Sequence, residues 1–224
     1  MFKTETHLHT APVSACGRFS PREMIRFYHQ AGYTTVCVSD HFAQHHFNKL
    51  GSQYSWDQKT DMLYHAYLEA KETGEQYGMH ILFTPELSLD HNHYLLYGVD
   101  LAFLKLREDL FDLSLEAFYH HAKAYGITIV QAHPYRDGQC TPHPEFIDGV
   151  EVVNTNPRHE NFDEACMELA KKYGFPMSAG SDAHRTEDIA RASMISEKPV
   201  TSVQEYLSML KNGEFRIMRN GEIL

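Results

Sequence analysis

Along this chain the spacing of apolar positions changes repeatedly between the pattern typical of strands and the pattern typical of helices. This predicts strands separated by helices. Short apolar runs rich in β-branched residues predict strands, and longer segments with capping residues and glycine stops predict helices. The predicted strands are residues 2–9, 34–40, 80–89, 93–100, 127–133, 148–154 and 175–180, with a short strand near the C-terminus. The predicted helices are residues 20–32, 57–78, 114–126, 161–174 and 201–213. This repetition predicts an α/β fold with a mainly parallel sheet, either a barrel or a doubly wound sheet, in one domain spanning 1–224.

Composition and charge narrow the function classes. The 224 residues carry a formal net charge of -10, which disfavours long nucleic acid as a partner because the phosphate backbone is also negative. We find no apolar run long enough to cross a membrane and no signal-peptide core in MFKTETHLHT, so we expect a cytoplasmic protein. The four cysteines are scattered without CxxC pairs, which indicates reduced thiols and not a disulfide framework.

Histidine is unusually frequent, with 16 residues, and many of these side chains lie where a predicted strand ends. The carboxyl ends of parallel strands meet on one face of an α/β protein, and sites form there. Imidazole is also the commonest metal ligand in proteins. The residues of ligand type at or just after strand ends are His7, His9, Asp40, His41, Glu86, His93, His133, Glu151, Asn154, Asp182 and His184.

The local spacing of these residues favours metal binding. His7 and His9 are separated by one residue, so on a strand their imidazoles point to the same face, and Asp182 and His184 repeat that spacing. Glu86 lies in an apolar strand, where a buried carboxylate needs a cation. Together these groups exceed what one ion can use and indicate two or three ions close together.

Three further residues extend this set. His133 follows an apolar strand, and the proline after it ends the strand with the imidazole at the rim. His41 follows Asp40, a carboxylate suited to orienting an imidazole. His91 and His93 are again two residues apart, and spacing alone does not choose between them.

The ordered motifs HLHT, SDH, the Glu86 strand, HYLLYG, AHPYR and GSDAH resemble the PHP (polymerase and histidinol phosphatase) family over nearly the whole chain. The resemblance implies a distorted (β/α)7 barrel with a di- or trinuclear metal site at the C-terminal ends of the strands. It also implies phosphoesterase activity on a small phosphate monoester such as histidinol phosphate, and hence a role in histidine biosynthesis as one option.

The resemblance also implies a division of ligands among the ions. His7, His9, Glu86 and Asp182 would hold the first ion, and Glu86 would bridge to a second ion bound by His93 and His133. His41 and His184 would contribute to a third ion. Where the family usually has an aspartate or histidine, this sequence has Cys16. Either Cys16 is a thiolate ligand, which would favour zinc or iron over magnesium, or the third site is weak or empty. The whole donor set suits zinc, iron or manganese.

The resemblance gives Asp182 and His184 catalytic roles as well. Arginines close to strand ends are candidates for binding the phosphoryl oxygens, because the guanidinium fork matches phosphate. They are Arg136, Arg158 and Arg185, of which the resemblance favours the last two. Asp182, a water molecule or a nearby histidine would protonate the leaving group. Residues 42–58 would form either a lid that carries specificity through Tyr54 or Trp56 or an ordinary long loop.

Two alternatives stay open at this stage. The same ions would also cleave phosphodiesters, which would make the protein a nucleotide phosphatase or a nuclease acting on short oligonucleotides. The non-enzyme alternative is a regulatory metal-binding module with a vestigial site, against which the nearly complete ligand set argues.

Overall fold

The computed structural model describes residues 1–224, which form twelve strands and seven α-helices. The strands are β1 (Phe2–Glu5), β2 (Thr35–Val38), β3 (His41–Phe42), β4 (His80–Phe83), β5 (Glu86–Leu89), β6 (Asn92–Tyr97), β7 (Thr128–Ala132), β8 (Gly149–Asn154), β9 (Met177–Gly180), β10 (Ala192–Ser196), β11 (Arg216–Arg219) and β12 (Glu222–Ile223). The helices are α1 (Pro21–Gln30), α2 (Gln44–Leu50), α3 (Trp56–Gln76), α4 (Leu101–Lys105), α5 (Leu115–Ala124), α6 (Asp163–Tyr173) and α7 (Val203–Lys211).

The strands form two six-stranded sheets, in the orders β12-β11-β10-β1-β2-β4 and β3-β5-β6-β7-β8-β9. Five of the neighbouring pairs are parallel and five are antiparallel, so the expectation of a mainly parallel sheet is wrong. An isolated bridge between Leu8 and Ala183 joins the chain after β1 to the chain after β9. The α/β class is confirmed, whereas a closed (β/α)7 barrel is not, because the strands divide between two hydrogen-bonded sheets.

The longer helices begin and end where local sequence signals place them. Ser20 accepts a hydrogen bond from the Glu23 amide and completes a capping box at the start of α1, and Ser55 forms the same arrangement with Gln58 at α3. The hairpin between β5 and β6 turns at Asp90 and His91, which both have positive φ, as a two-residue turn of this kind requires.

Two elements differ from the sequence-based expectation. The predicted lid is largely helical, because α2 and the start of α3 occupy it. Trp56 packs against Phe42, Phe47 and Phe111, and its indole N–H donates to the Leu104 carbonyl. Its side chain is therefore part of the protein interior and not of a specificity lid. Strand β10 was not expected, yet it pairs antiparallel with β1 and joins β11 to that sheet.

Most of the apolar interior is one core that draws side chains from both sheets, and a smaller cluster packs α1 against α3, β2 and β4. Burying this apolar surface supplies the main favourable term in folding. It also fixes the strand ends that carry the polar residues described below. None of the helices combines the length and apolar composition that crossing a bilayer requires.

Candidate metal centre

The carboxyl ends of the strands bring one group of ligand side chains together in the interior. His7 and His9 follow β1, and Asp182 follows β9. His9 Nε2 lies 3.1 Å from Asp182 Oδ1 and 3.1 Å from His7 Nε2. His7 Nε2 lies 3.2 Å from Glu86 Oε1. All four side chains are at most 2% exposed, so the structure gathers the four residues predicted to hold the first ion.

Glu86 is the centre of this arrangement. Its carboxylate oxygens lie 2.7 Å from His41 Nδ1 and 3.4 Å from both His93 Nδ1 and His133 Nε2. Burial alone would raise the pKa of Glu86, but the charges of His93 and His7 hold it well below its usual value. The geometry also separates His93 from His91, because His91 lies in the hairpin turn and His93 faces Glu86.

Cys16 lies beside a third group of imidazoles. Its Sγ is 3.1 Å from His41 Nε2. Partial burial opposes ionisation, but hydrogen bonds with His184 and His41 lower the pKa of the Cys16 thiol to about 6. His46, which the sequence did not single out, is buried and stacks on His41, with ligand atoms of Cys16, His41 and His46 within 4.8 Å of one another.

Buried hydrogen-bond acceptors orient the imidazoles of His7 and His9 through their Nδ1 atoms. Glu151 Oε1 lies 2.9 Å from His7 Nδ1, so His7 donates from Nδ1 and presents Nε2 to Glu86. From the sequence we expected Asp40 to orient His41. In the structure Asp40 instead orients His9, through Ser14. Asp40 accepts a hydrogen bond from the Ser14 hydroxyl, whose oxygen lies 3.3 Å from His9 Nδ1.

A second buried glutamate holds the ends of β1 and β9 together below the centre. Glu5 Oε1 accepts hydrogen bonds from the backbone amides of His7 and Ser181. Burial raises the pKa of Glu5 to about 7. At Gly180 the two chain segments approach so closely that a Cβ would lie 2.4 Å from His7 Cβ and 2.8 Å from Glu151 Oε1. Only glycine fits there without displacing the ligand strand.

Two residues of the centre have unusual backbone conformations. His133 and Asp182 have φ of 32° and 51°, in the left-handed region that non-glycine residues rarely adopt. Such residues cost about 1–3 kcal/mol and cluster at functional sites. The surrounding hydrogen bonds hold both: Glu151 accepts from the His133 amide, and Asn156 donates to the Asp182 carbonyl.

The three arginines occupy different environments. Arg136 Nη2 donates to Asp182 Oδ2 at 2.6 Å, so the candidate that the resemblance favoured least is the one that contacts a predicted ligand. Arg158 forms a two-bond pair with the buried Asp188, at 2.7 and 2.8 Å, so its guanidinium already has a carboxylate partner. Arg185 Nε is buried and has no hydrogen-bond partner.

The donor atoms fit divalent cations. Glu86 Oε2, His41 Nδ1 and both ring nitrogens of His133 are buried and make no hydrogen bond of good geometry despite the short distances between them. A buried polar atom without a partner costs about 1–3 kcal/mol. Burial and the nearby Arg136 lower the pKa of His133 to about 3, so its imidazole is neutral and has a free electron pair. A set of imidazoles and carboxylates with one thiolate matches zinc, iron or manganese.

Comparisons with known proteins agree with this architecture. The family model described as PHP-associated matches residues 164–215. A search of the curated proteins finds no match to this sequence. Among solved structures, a two-domain protein from Bacteroides vulgatus containing a predicted PHP-like metal-dependent phosphoesterase is 15% identical, with a TM-score of 0.71. The match covers 99% of this chain and 66% of that protein, so this chain spans just under two thirds of its length.

Two further structures share the fold. PsfC from Pseudomonas syringae is 16% identical, with a TM-score of 0.68 and coverage of 92% of this chain and 88% of that chain. The lesion-specific endonuclease EndoQ from Pyrococcus furiosus is 14% identical, with a TM-score of 0.64 and coverage of 94% and 56%. The chain is therefore similar to the PHP-associated family over residues 164–215 and shares its fold with these solved structures.

Proposed function

We propose that this protein is a metal-dependent phosphoesterase that hydrolyses small phosphate monoesters at a centre of two or three divalent ions. The observation that carries the proposal is the environment of Glu86. Five imidazoles, those of His7, His9, His41, His93 and His133, lie within 3.7 Å of this one buried carboxylate. A buried carboxylate shared among several imidazole donors is the arrangement that multinuclear hydrolytic sites use.

The ligand assignment follows the three groups described above. His7, His9, Glu86 and Asp182 would hold the first ion, and Glu86, His93 and His133 the second. Cys16, His41 and His184 would hold the third, with His46 beside them. When bound, these ions would supply Lewis acidity that polarises the phosphoryl group and makes water a better nucleophile at neutral pH.

The arginines would have different tasks in this reaction. Because Arg136 binds Asp182 Oδ2, it would leave Oδ1 directed at His7 and His9 and keep that carboxylate in position. Burial opposes ionisation of Asp182, but Arg136 and His7 hold its pKa well below its usual value. Arg185 has a buried donor without a partner, and it would bind a phosphoryl oxygen.

Phosphodiester hydrolysis is the second candidate, because EndoQ, an endonuclease, has the same fold. The net charge of -10 argues against long polymers and leaves nucleotides or short oligonucleotides as substrates of this class.

The test is a phosphate-ester panel on protein whose metal content has been measured. We expect hydrolysis of p-nitrophenyl phosphate with manganese, zinc or iron, and its loss in His9→Ala and Asp182→Asn. Turnover of histidinol phosphate, nucleoside bisphosphates and short oligonucleotides would then separate monoesterase from diesterase activity. Activity that survives complete metal removal would contradict the proposal, and bound metal without hydrolysis of any ester would favour the vestigial module.

The replacement Cys16→Ser should remove one metal ion from the protein. The thiol pKa of about 6 makes Cys16 a thiolate at neutral pH, and a hydroxyl is a much poorer ligand for zinc or cobalt. In cobalt-substituted protein we expect a thiolate-to-metal absorption band, which Cys16→Ser abolishes while the measured metal content falls by about one ion per chain.

Cys140→Ser is the matched control, because the Cys140 thiol contacts the His91 carbonyl and none of the proposed ligands. It should leave both the absorption band and the metal content unchanged. An unchanged band in Cys16→Ser would show that the thiol is not a ligand.

A further inference from the structure

Two loops beside the metal centre are fastened to each other by an aspartate. Asp137 has a left-handed backbone, with φ of 53°. Its amide donates to the Glu160 carbonyl at 2.8 Å, and its Oδ1 accepts from the Glu160 amide at 2.9 Å. Its second carboxylate oxygen lies 2.6 Å from His159 Nδ1. The strained backbone and these three contacts hold the imidazole of His159 in one orientation.

This aspartate is ionised. Burial opposes its ionisation slightly, but hydrogen bonds from the Glu160 amide and from His159 lower the pKa of Asp137. As an acceptor only, it requires His159 to donate from Nδ1. The other ring nitrogen, Nε2, is therefore free to exchange a proton with a ligand.

His159 also lies at the entrance to the metal centre. A cleft of about 860 Å³ is lined by His159, Asp137 and Arg136 together with His93. His93 is one of the imidazoles that face Glu86, and Arg136 contacts Asp182. The cleft thus borders His159, the proposed ligand His93 and the arginine that contacts Asp182, and it is large enough for a small phosphate ester.

We propose that His159, positioned by Asp137, protonates the leaving oxygen of the substrate. This inference rests on the proposed phosphoesterase function. The oxygen of water bonds to phosphorus, and the ester P–O bond breaks with its electron pair passing to the leaving oxygen. That oxygen takes the proton from His159 Nε2, the attacking water loses a proton to solvent, and the imidazole regains one from solvent.

The other imidazoles near the cleft are less suited to this task. His93 and His133 face Glu86, where a proton on the facing nitrogen would compete with an ion. The ring of His45 lies against that of His46, with centroids 4.3 Å apart, and contacts no carboxylate. Among the histidines of the cleft, His159 is the one whose Nδ1 is hydrogen-bonded to a carboxylate that is not a proposed metal ligand, that of Asp137. This is the arrangement found when a carboxylate orients a catalytic imidazole.

The test compares two monoesters that differ in their need for a proton. p-Nitrophenyl phosphate has a good leaving group, whereas glycerol 2-phosphate releases a strongly basic alkoxide. For His159→Gln we expect kcat on glycerol phosphate to fall by about 10²-fold or more, with kcat on p-nitrophenyl phosphate changed by less than about threefold. Asp137→Asn, which keeps an acceptor for the Glu160 amide, should show the same split between esters to a smaller extent.

Controls separate this role from a structural one. His65→Gln changes an exposed histidine on α3 and should leave both rates unchanged. Metal content and melting temperature of His159→Gln should equal those of the unmodified protein. An equal loss on both esters, or no loss on glycerol phosphate, would overturn the inference and leave the proposed function standing. Failure of the metal-loaded, unmodified protein to hydrolyse either ester would instead overturn the proposed function, and this inference with it.

Discussion

Replacing Glu86 with glutamine should remove at least one metal ion from the centre and nearly abolish phosphate-ester hydrolysis. Glutamine keeps the shape of the side chain but replaces a charged oxygen with an amide nitrogen, so no bridging carboxylate remains among the five imidazoles. Metal ions supply several kcal/mol of transition-state stabilisation in such sites, and each 1.4 kcal/mol is tenfold in rate. We therefore expect kcat/KM on p-nitrophenyl phosphate to fall by at least about 10³-fold. Elemental analysis should show loss of at least one ion per chain.

The matched control is Glu108→Gln, which makes the same chemical change at an exposed position after α4. It should retain the metal content and the activity. Circular dichroism should show that Glu86→Gln is folded, because the apolar core does not depend on this carboxylate. A Glu86→Gln protein that kept its full metal content and at least half its activity would contradict the assignment of Glu86 as the bridging ligand.

The sequence allowed this cluster of side chains to be predicted because of where its members fall. His7, His9, Glu86, His133 and Asp182 come at or just after strand ends, and strand ends can be read from apolar runs. The structure brings all five together, through contacts that span most of the chain. The choice of His93 over His91 needed the hairpin register, which pairs Ser88 with His93 and leaves His91 in the turn.

The residues behind the ligands could not be predicted in the same way. Glu5 precedes the first histidine by two residues in a strand whose buried face was unknown, and only the fold shows that its carboxylate binds the amides of His7 and Ser181. His46 does not lie at a predicted strand end, and only the fold shows that α2 places it against His41. The partners of Arg136 and Arg158 depend on loop conformations, which the hydrophobic pattern does not encode.

The sheet arrangement was missed for a related reason. Strand β10 is only five residues long, so its pattern is too short to predict a strand, yet its antiparallel pairing with β1 fixes the strand that precedes His7 and His9. Local propensity does not reveal such a long-range pairing. The wrong sheet prediction therefore did not affect the site prediction. The site depends on where the strands end, whereas the sheet also depends on which strands pair with each other.

Removing the metal ions should lower the melting temperature of the protein by about 8–16 °C. Ligands that bind only the folded state stabilise it by about 4 kcal/mol when present at a thousand times their dissociation constant. One kcal/mol corresponds to about 2–4 °C for a chain of this size. The stabilisation by bound ions comes from the buried polar atoms that have no hydrogen-bond partner. These are Glu86 Oε2, His41 Nδ1 and the ring nitrogens of His133. A bound cation would give each of them a partner, and chelation would leave them facing one another without one.

Differential scanning calorimetry of chelator-treated and metal-reloaded protein measures this difference. Reloading should restore the melting temperature, which distinguishes loss of the ions from damage by the chelator. In Glu86→Gln the same treatment should produce a much smaller change, because that variant holds fewer ions to lose, whereas Glu108→Gln should respond like the unmodified protein. Equal melting temperatures for the metal-free and reloaded forms would mean that the buried imidazoles and carboxylates satisfy one another by sharing protons. In that case the short distances around Glu86 would be hydrogen bonds of a polar core and not the outline of an ion site.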